Sequence, residues 1–178
     1  MTESWIVLLR AIGPASHKKM SMQQLREDCT SAGLVDVRTY IASGNLLCKS
    51  SLTKSKLHNL VENILSNYGL DNDIIIRKLS EMQSVLDASP LPQAAKERPN
   101  HLLTVFFNRK VNKKSANELV SRDHRERMVF LDRELCIDYV DGVARSKLTP
   151  ALIDRVIGQP GTARNWNTVG KLVALMDD

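Results

Sequence analysis

The sequence predicts an α+β fold: two ferredoxin-like (βαββαβ-type) subdomains in tandem, the second ending in an extra C-terminal helix. Three observations carry that prediction. Residues 1–89 read as strand, helix, strand, strand, helix, strand; prolines 90, 92 and 99 then interrupt the pattern; and from His101 the same grammar starts again. The expected organisation is an N-terminal subdomain with a connecting helix (1–89), a Pro-containing linker (90–100), and a C-terminal subdomain with terminal helices (101–178).

The apolar run Trp5–Leu9, closed by Arg10, fits a buried strand. A loop follows through Gly13 and Pro14. Ser21 with Gln24 three residues later is a capping box, and Met22, Leu25, Cys29 and Ala32 recur at helical spacing until Gly33 supplies a stop. Val35, Val37, Thr39 and Ile41 alternate with Asp36, Arg38 and Tyr40. Ser43, Gly44 and Asn45 then make a hairpin turn, because Gly and Asn tolerate positive backbone angles. Leu57, Leu60, Val61, Ile64, Leu65 and Tyr68 form an apolar helical stripe closed by Gly69, and Ile74–Ile76 is a short β-branched strand. A short helix around Met82, Val85 and Leu86 leads into the prolines, which cannot sustain helix.

In the second half, His101–Phe107 is a strand, Ala116, Leu119 and Val120 mark a helix, and Met128–Leu131 with Leu135–Val140 is a hairpin. Thr149 as N-cap, Pro150 at the first helical position and Gly158 as stop frame a helix with Leu152, Ile153, Val156 and Ile157 on its apolar face. In place of a clear last strand, a final helix is expected from about Ala163, with Trp166, Val169, Val173 and Met176 on one side.

The 178 residues are 43% hydrophobic, enough to bury a core. Trp5–Leu9 is too short for a secretory signal or a membrane span, so the expectation is a soluble, cytoplasmic protein without a membrane partner. Cys29, Cys48 and Cys136 are odd in number and far apart, giving neither a disulfide framework nor a metal knuckle. Residues 96–127 hold nine Lys/Arg against four Asp/Glu, an excess equal to the whole net charge of +5. This is either a solvated surface or a weak, non-specific attraction for phosphate-bearing partners.

The candidate ligand contacts cluster late in the chain. At the expected start of the final helix, Thr162, Arg164, Asn165, Trp166 and Asn167 stand together, and Arg145 and Lys147 precede the Thr149 helix. A helix N-terminus presents unpaired amides and partial positive charge, so a phosphate or carboxylate fits there. The alternative is structural: Thr162 caps, Trp166 packs, and an asparagine ties down a carbonyl. Arg10, Arg38 and Asn45 complete the candidates, Asn45 with plain turn chemistry as its competing reading. Arg38 and Tyr40 are ligand contacts if their strand face is open and interface if it is covered. No phosphate loop, dinucleotide fingerprint, nucleophile elbow or zinc helix occurs, so no catalytic residue, metal or cofactor is assigned. Ser146 beside Lys147 is a faint hint of an activated hydroxyl. With 4% aromatic residues the chain lacks the stacking surface of an RNA-recognition sheet.

The runs Val37–Asn45, Arg145–Thr149 and Thr162–Thr168 together resemble the bacterial family catalogued as domain of unknown function 1697. The resemblance implies two ferredoxin-like halves and no established activity. One departure stands out: family members usually follow the first strand's arginine with a glycine-rich loop, whereas Arg10 here precedes Ala11, Ile12, Gly13 and Pro14. The functional expectation is a small anionic, phosphate-bearing ligand held near the final helix. The alternatives are a nucleic-acid-associated protein using residues 96–127, or a protein-interaction module without catalysis.

Overall fold

The computed structural model describes residues 1–177. They form two compact units, Met1–Gln83 together with the stretch from Leu172 onward, and Ser84–Lys171.

In the first unit, strands β1 (Glu3–Leu9), β2 (Val35–Tyr40), β3 (Asn45–Ser50) and β4 (Ile74–Lys78) pair antiparallel in the order β2-β3-β1-β4. Helices α2 (Met22–Ser31) and α3 (Lys54–Asn67) complete a ferredoxin-like βαββαβ unit, and a short helix α1 (Pro14–His17) occupies the stretch expected as loop. The capping box of α2 is formed in both directions: Gln24 N–H donates to Ser21 Oγ at 3.1 Å, and Ser21 N–H to Gln24 Oε1 at 2.8 Å. One sheet face meets both helices in a core that includes Trp5, Val7, Leu9, Leu25, Cys29, Leu46, Leu57, Val61 and Ile76. On the other face Ile6, Leu8, Leu47 and Ile75 are also buried, which explains why β1 reads as an unbroken apolar run. The alternation read across β2 is interrupted by a bulge between Val35 and Arg38, with Asp36 at φ +50°, and Val35 and Ile41 end up exposed.

The second unit repeats this plan. Strands β5 (Leu102–Phe107), β6 (Arg127–Phe130), β7 (Glu134–Asp138) and β8 (Gly161–Asn165) pair antiparallel in the order β6-β7-β5-β8. Helices α6 (Lys113–Val120) and α7 (Pro150–Ile157) lie between them in sequence. Thr149 caps α7 through Leu152 N–H, Pro150 opens it, and Gly158 closes it at φ +78°. Val105, Phe107, Leu119, Leu135, Ile137, Ile153 and Ile157 form the core.

Three expectations need correction here. The prolines at 90 and 92 do not leave a bare linker: after α4 (Leu79–Ala88), α5 (Pro92–Glu97) forms with Pro92 in its first turn, where a missing N–H costs nothing. Its Ala94 packs with Leu102 and Cys136. A last strand does exist, because Gly161–Asn165 is β8 and the final helix α8 (Trp166–Asp177) begins three residues later than expected. The strand's composition hides it, since Gly-Thr-Ala-Arg-Asn has no apolar alternation. Its register is fixed by packing: a Cβ on Gly161 would lie 2.6 Å from Val105 Cγ1 and 2.7 Å from Phe107 Cε1, so only glycine lets β8 approach β5. Lastly, Thr162 does not cap the final helix; Thr168 N–H donates to Asn165 Oδ1 at 2.9 Å, making Asn165 the cap.

Among the described residues, no helix is long and apolar enough to cross a membrane.

Candidate ligand-binding site

The predicted contacts divide between the units. Arg10, Arg38 and Asn45 belong to the first, and Arg145, Lys147, Arg164, Asn165 and Asn167 to the second. Arg10 lies just past β1, its guanidinium 3.5 Å from the Asp73 carboxylate, while its carbonyl accepts the Asn72 side-chain amide at 2.8 Å. Arg38 donates to the carbonyl of Leu175 at 2.8 Å. Asn45 is fully buried, and its amide donates to the Tyr40 carbonyl and to Ser43 Oγ, so it locks the hairpin turn. In the second unit, Asn167 donates to Asn100 Oδ1 at 2.7 Å.

Arg164 is not in a first helical turn. It sits inside β8, opposite Thr104, with only 7% of its surface exposed. Its guanidinium donates to Thr162 Oγ1 and to the Ala163 carbonyl, each at 2.8 Å. Burial pulls its pKa down to about 10, the direction expected when a cation loses water. The Thr162–Arg164 stretch therefore offers no helix N-terminus to an anion.

Arg145 and Lys147 stand elsewhere, and they share a cavity. After β7 the chain turns at Gly142, which takes φ +88°, a backbone angle that favours glycine, and a single 3-10 turn (Val143–Arg145) follows. The loop is pinned where it returns: Tyr139 Oη donates to the Leu148 carbonyl at 2.9 Å, and buried Leu148 anchors it in the core. Burial pushes the Tyr139 phenol up to about 12, with the nearby Glu126 charge adding to the effect. Between these anchors Arg145 and Lys147 project on either side of Ser146.

The opposite wall comes from the segment before β6. Together the two stretches enclose a cavity of about 310 Å³, with Arg125, Arg145 and Lys147 as its cations and Asp123, Glu126 and Asp141 as its acids. Arg125 is committed to Asp141 at 2.8 Å. Ser146 Oγ donates to Glu126 Oε1 and accepts from Leu148 N–H. Glu126 is 10% exposed in its side chain. His124 also lines the cavity; its Nδ1 is 3.8 Å from Glu126 Oε2, inside ion-pair range but beyond a hydrogen bond, and neither ring nitrogen has a hydrogen-bond partner among the described residues. Neither Arg145 nor Lys147 forms an ion pair with any described residue.

Sequence reading singled out Arg145 and Lys147 and noticed Ser146, but missed Glu126 and His124. No signal joined them, because Glu126 and Ser146 lie twenty residues apart and meet only when the β6–β7 hairpin folds back.

Other chemistries are disfavoured by position. The thiols of Cys29 and Cys48 are pushed up to about 12 and that of Cys136 to about 11 by burial, so at neutral pH they are protonated and unreactive. The described residues contain no group of three or more His, Cys, Asp or Glu placed to hold a metal ion. Five of the basic stretch's nine cations are in ion pairs, mostly with acids that follow it in sequence: Arg98 and Arg127 pair with Asp138, Arg122 with Glu118, Lys110 with Asp132 and Arg125 with Asp141.

Comparison with known proteins bears on the fold and the family. Over its whole length the chain is similar to the structure of a conserved bacterial protein, SP0830, from Streptococcus pneumoniae, with 19% identity, complete coverage of both chains and a TM-score of 0.74. At that identity the likeness establishes the fold alone. Comparison with curated proteins gives no match. A family model described as a protein of unknown function (DUF1697) matches residues 1–135. The Val37–Asn45 run falls within that match, whereas Arg145–Thr149 and Thr162–Thr168 lie beyond it. With three quarters of its length covered, the chain belongs to the DUF1697 family.

Proposed function

We propose that the second unit binds a small, phosphate-bearing anion in the cavity flanked by Arg145 and Lys147. One observation carries this: two cations two residues apart, neither in an ion pair with a described residue, line one concave site on a loop pinned at both ends. The lining's three cations are matched in number by three acids, but Arg145 and Lys147 are in no direct ion pair among the described residues, so their charges stay available to an anion. At about 310 Å³ the space lies at the lower end of small-molecule sites, which run from roughly 300 to 1,000 Å³. The reading keeps the anionic ligand expected from the sequence and moves it from the start of the last helix to the loop after β7.

Titrating the full chain with inorganic phosphate and with pyrophosphate, at fixed ionic strength, tests it. A ligand at a hundred times its Kd stabilises a protein by about 2.7 kcal/mol, which raises Tm by roughly 5–10 °C at this chain length. The double variant Arg145→Ala, Lys147→Ala should fold normally, since both residues are exposed, and should lose the shift. No shift with either anion, or one that survives the double substitution, defeats the reading. A polynucleotide held by residues 96–127 would instead show weak binding that disappears steeply with salt.

A further inference from the structure

The cations account for only half of the cavity's chemistry. A phosphate brings acceptors, and acceptors are what the rest of the wall already has: the carboxylates of Asp123, Glu126 and Asp141. A ligand that was phosphate alone would bind Arg145 and Lys147 with at most its own P–OH protons to offer those acids. Asp141 already has Arg125, which leaves Asp123 and Glu126 to accept from a ligand, and on an anionic ligand the donors that remain are neutral ones.

Ser146 shows how such a donor is received. A hydroxyl has one proton and two lone pairs. Ser146 gives its proton to Glu126 Oε1 and fills one lone pair with Leu148 N–H, which leaves one acceptor site on Oγ. Glu126 is equally unfinished. A carboxylate accepts about four hydrogen bonds, and its Oε2 has only the His124 ring at 3.8 Å. So Ser146 and Glu126, side by side in a cavity with two cations, both accept from a neutral donor. The groups that donate without charge and sit close to a phosphate in small molecules are hydroxyls.

A base is poorly served. The residues lining the cavity are charged or polar side chains and one glycine, and His124 supplies the one ring among them, with no Trp, Tyr or Phe beside it. Base recognition draws roughly 1–3 kcal/mol per base from aromatic stacking, and a lone imidazole offers less of it than the larger rings of a base-binding site.

Building on the anion-site reading above, we infer that the ligand is a phosphorylated polyol of sugar-phosphate size, its phosphate on Arg145 and Lys147 and its hydroxyls on Glu126 and Ser146. Nucleotides are less favoured because the His124 imidazole is the only ring in the lining on which a base could stack.

Competition calorimetry on the full chain tests this with four probes: glucose 6-phosphate, unphosphorylated glucose, inorganic phosphate and AMP. The expected order is glucose 6-phosphate at least tenfold tighter than inorganic phosphate and tighter than AMP, and glucose not detectable. Glu126→Gln keeps the volume and one acceptor but removes the charge, and Ser146→Ala removes the hydroxyl. Each should reduce the advantage of glucose 6-phosphate over phosphate while leaving phosphate itself bound. Circular dichroism melts on both variants show whether they fold, and Ser146→Ala keeps the test alive if Glu126→Gln does not. If phosphate binds and glucose 6-phosphate binds no tighter, the polyol inference is wrong and the anion site stands; if AMP binds tightest, the ligand is a nucleotide and the inference is again wrong. Should none of the phosphates bind, the anion reading itself falls and takes this one with it.

Discussion

Single residues in the second unit carry more than their composition suggests. Asp138 is fully buried, with Arg98 Nε donating to Oδ1 and Arg127 Nη2 to Oδ2, each at 2.8 Å. The hydrogen bond from Arg98 is the main reason its pKa lies below the ordinary aspartate range, and Arg127 adds to it against the opposing cost of burial. A depressed folded pKa contributes stability that is present above the unfolded value of about 4 and is lost as pH falls through the folded one. Asp138→Asn should therefore lower Tm at pH 7, and the gap to the parent protein should narrow as pH falls below about 4. Thermal melts at pH 7, 4 and 3 check it; a gap that stays constant with pH shows the carboxylate charge to be irrelevant. Arg164 teaches the converse. A cation close to the expected start of a helix looked like a ligand contact, yet its strand buries it and its proximity to Thr162 is a hydrogen bond along one edge.

At the scale of elements, the parts legible in the sequence were those whose signal is local. The box at Ser21 and Gln24, the frame of Thr149, Pro150 and Gly158, and the stripe from Leu57 to Leu65 each satisfy their own backbone or bury their own face within a dozen residues. What escaped was decided from outside the segment. β8 is a strand because β5 offers it five pairing positions and a slot just wide enough for Gly161, none of which is written in Gly161–Asn165. The α1 turn and the α5 turn form beside prolines that tolerate a first helical position, where a pattern of breakers reads as loop. Gly161→Ala should therefore cost about 1–3 kcal/mol by overpacking against Val105 and Phe107, far more than the few tenths of an exposed glycine change. Urea denaturation measures it. A variant as stable as the parent means that β5 yields and the close approach is not what sets the register.

On the scale of the whole molecule, the same strand order occurs twice, which a sequence with no evident internal identity does not announce but whose order of apolar periods does. The candidate site follows from that repetition only in part. The connection after the third strand is one place where the units differ: in the first, Ser50 leads through Leu52 to the Thr53 cap of α3, and in the second a longer loop carries the 3-10 turn, Arg145, Ser146 and Lys147 before the Thr149 cap of α7. The added chain is where charged groups without a packing role accumulate, as expected of a functional loop on a fixed scaffold.

The chain's last turns test how the fold is closed. By its contacts, the stretch from Leu172 onward groups with the first unit although α8 starts in the second. Leu172, Val173 and Met176 are buried, and the Leu175 carbonyl receives the Arg38 guanidinium. Burying each such side chain is worth about 1.5–3 kcal/mol, so ending the chain at Lys171 removes several kcal/mol. That is a large share of the roughly 5–15 kcal/mol by which a native protein is stable. Truncation at Lys171 should thus speed amide hydrogen exchange in β1, β3 and β4 by orders of magnitude, and affect β5 and β7 less. Exchange measured strand by strand distinguishes the outcomes. If β5 and β7 lose as much protection as β1, the final turns stabilise the second unit as well; if protection is unchanged throughout, these turns are dispensable and the burial of Leu172, Val173 and Met176 is not what holds the first unit together.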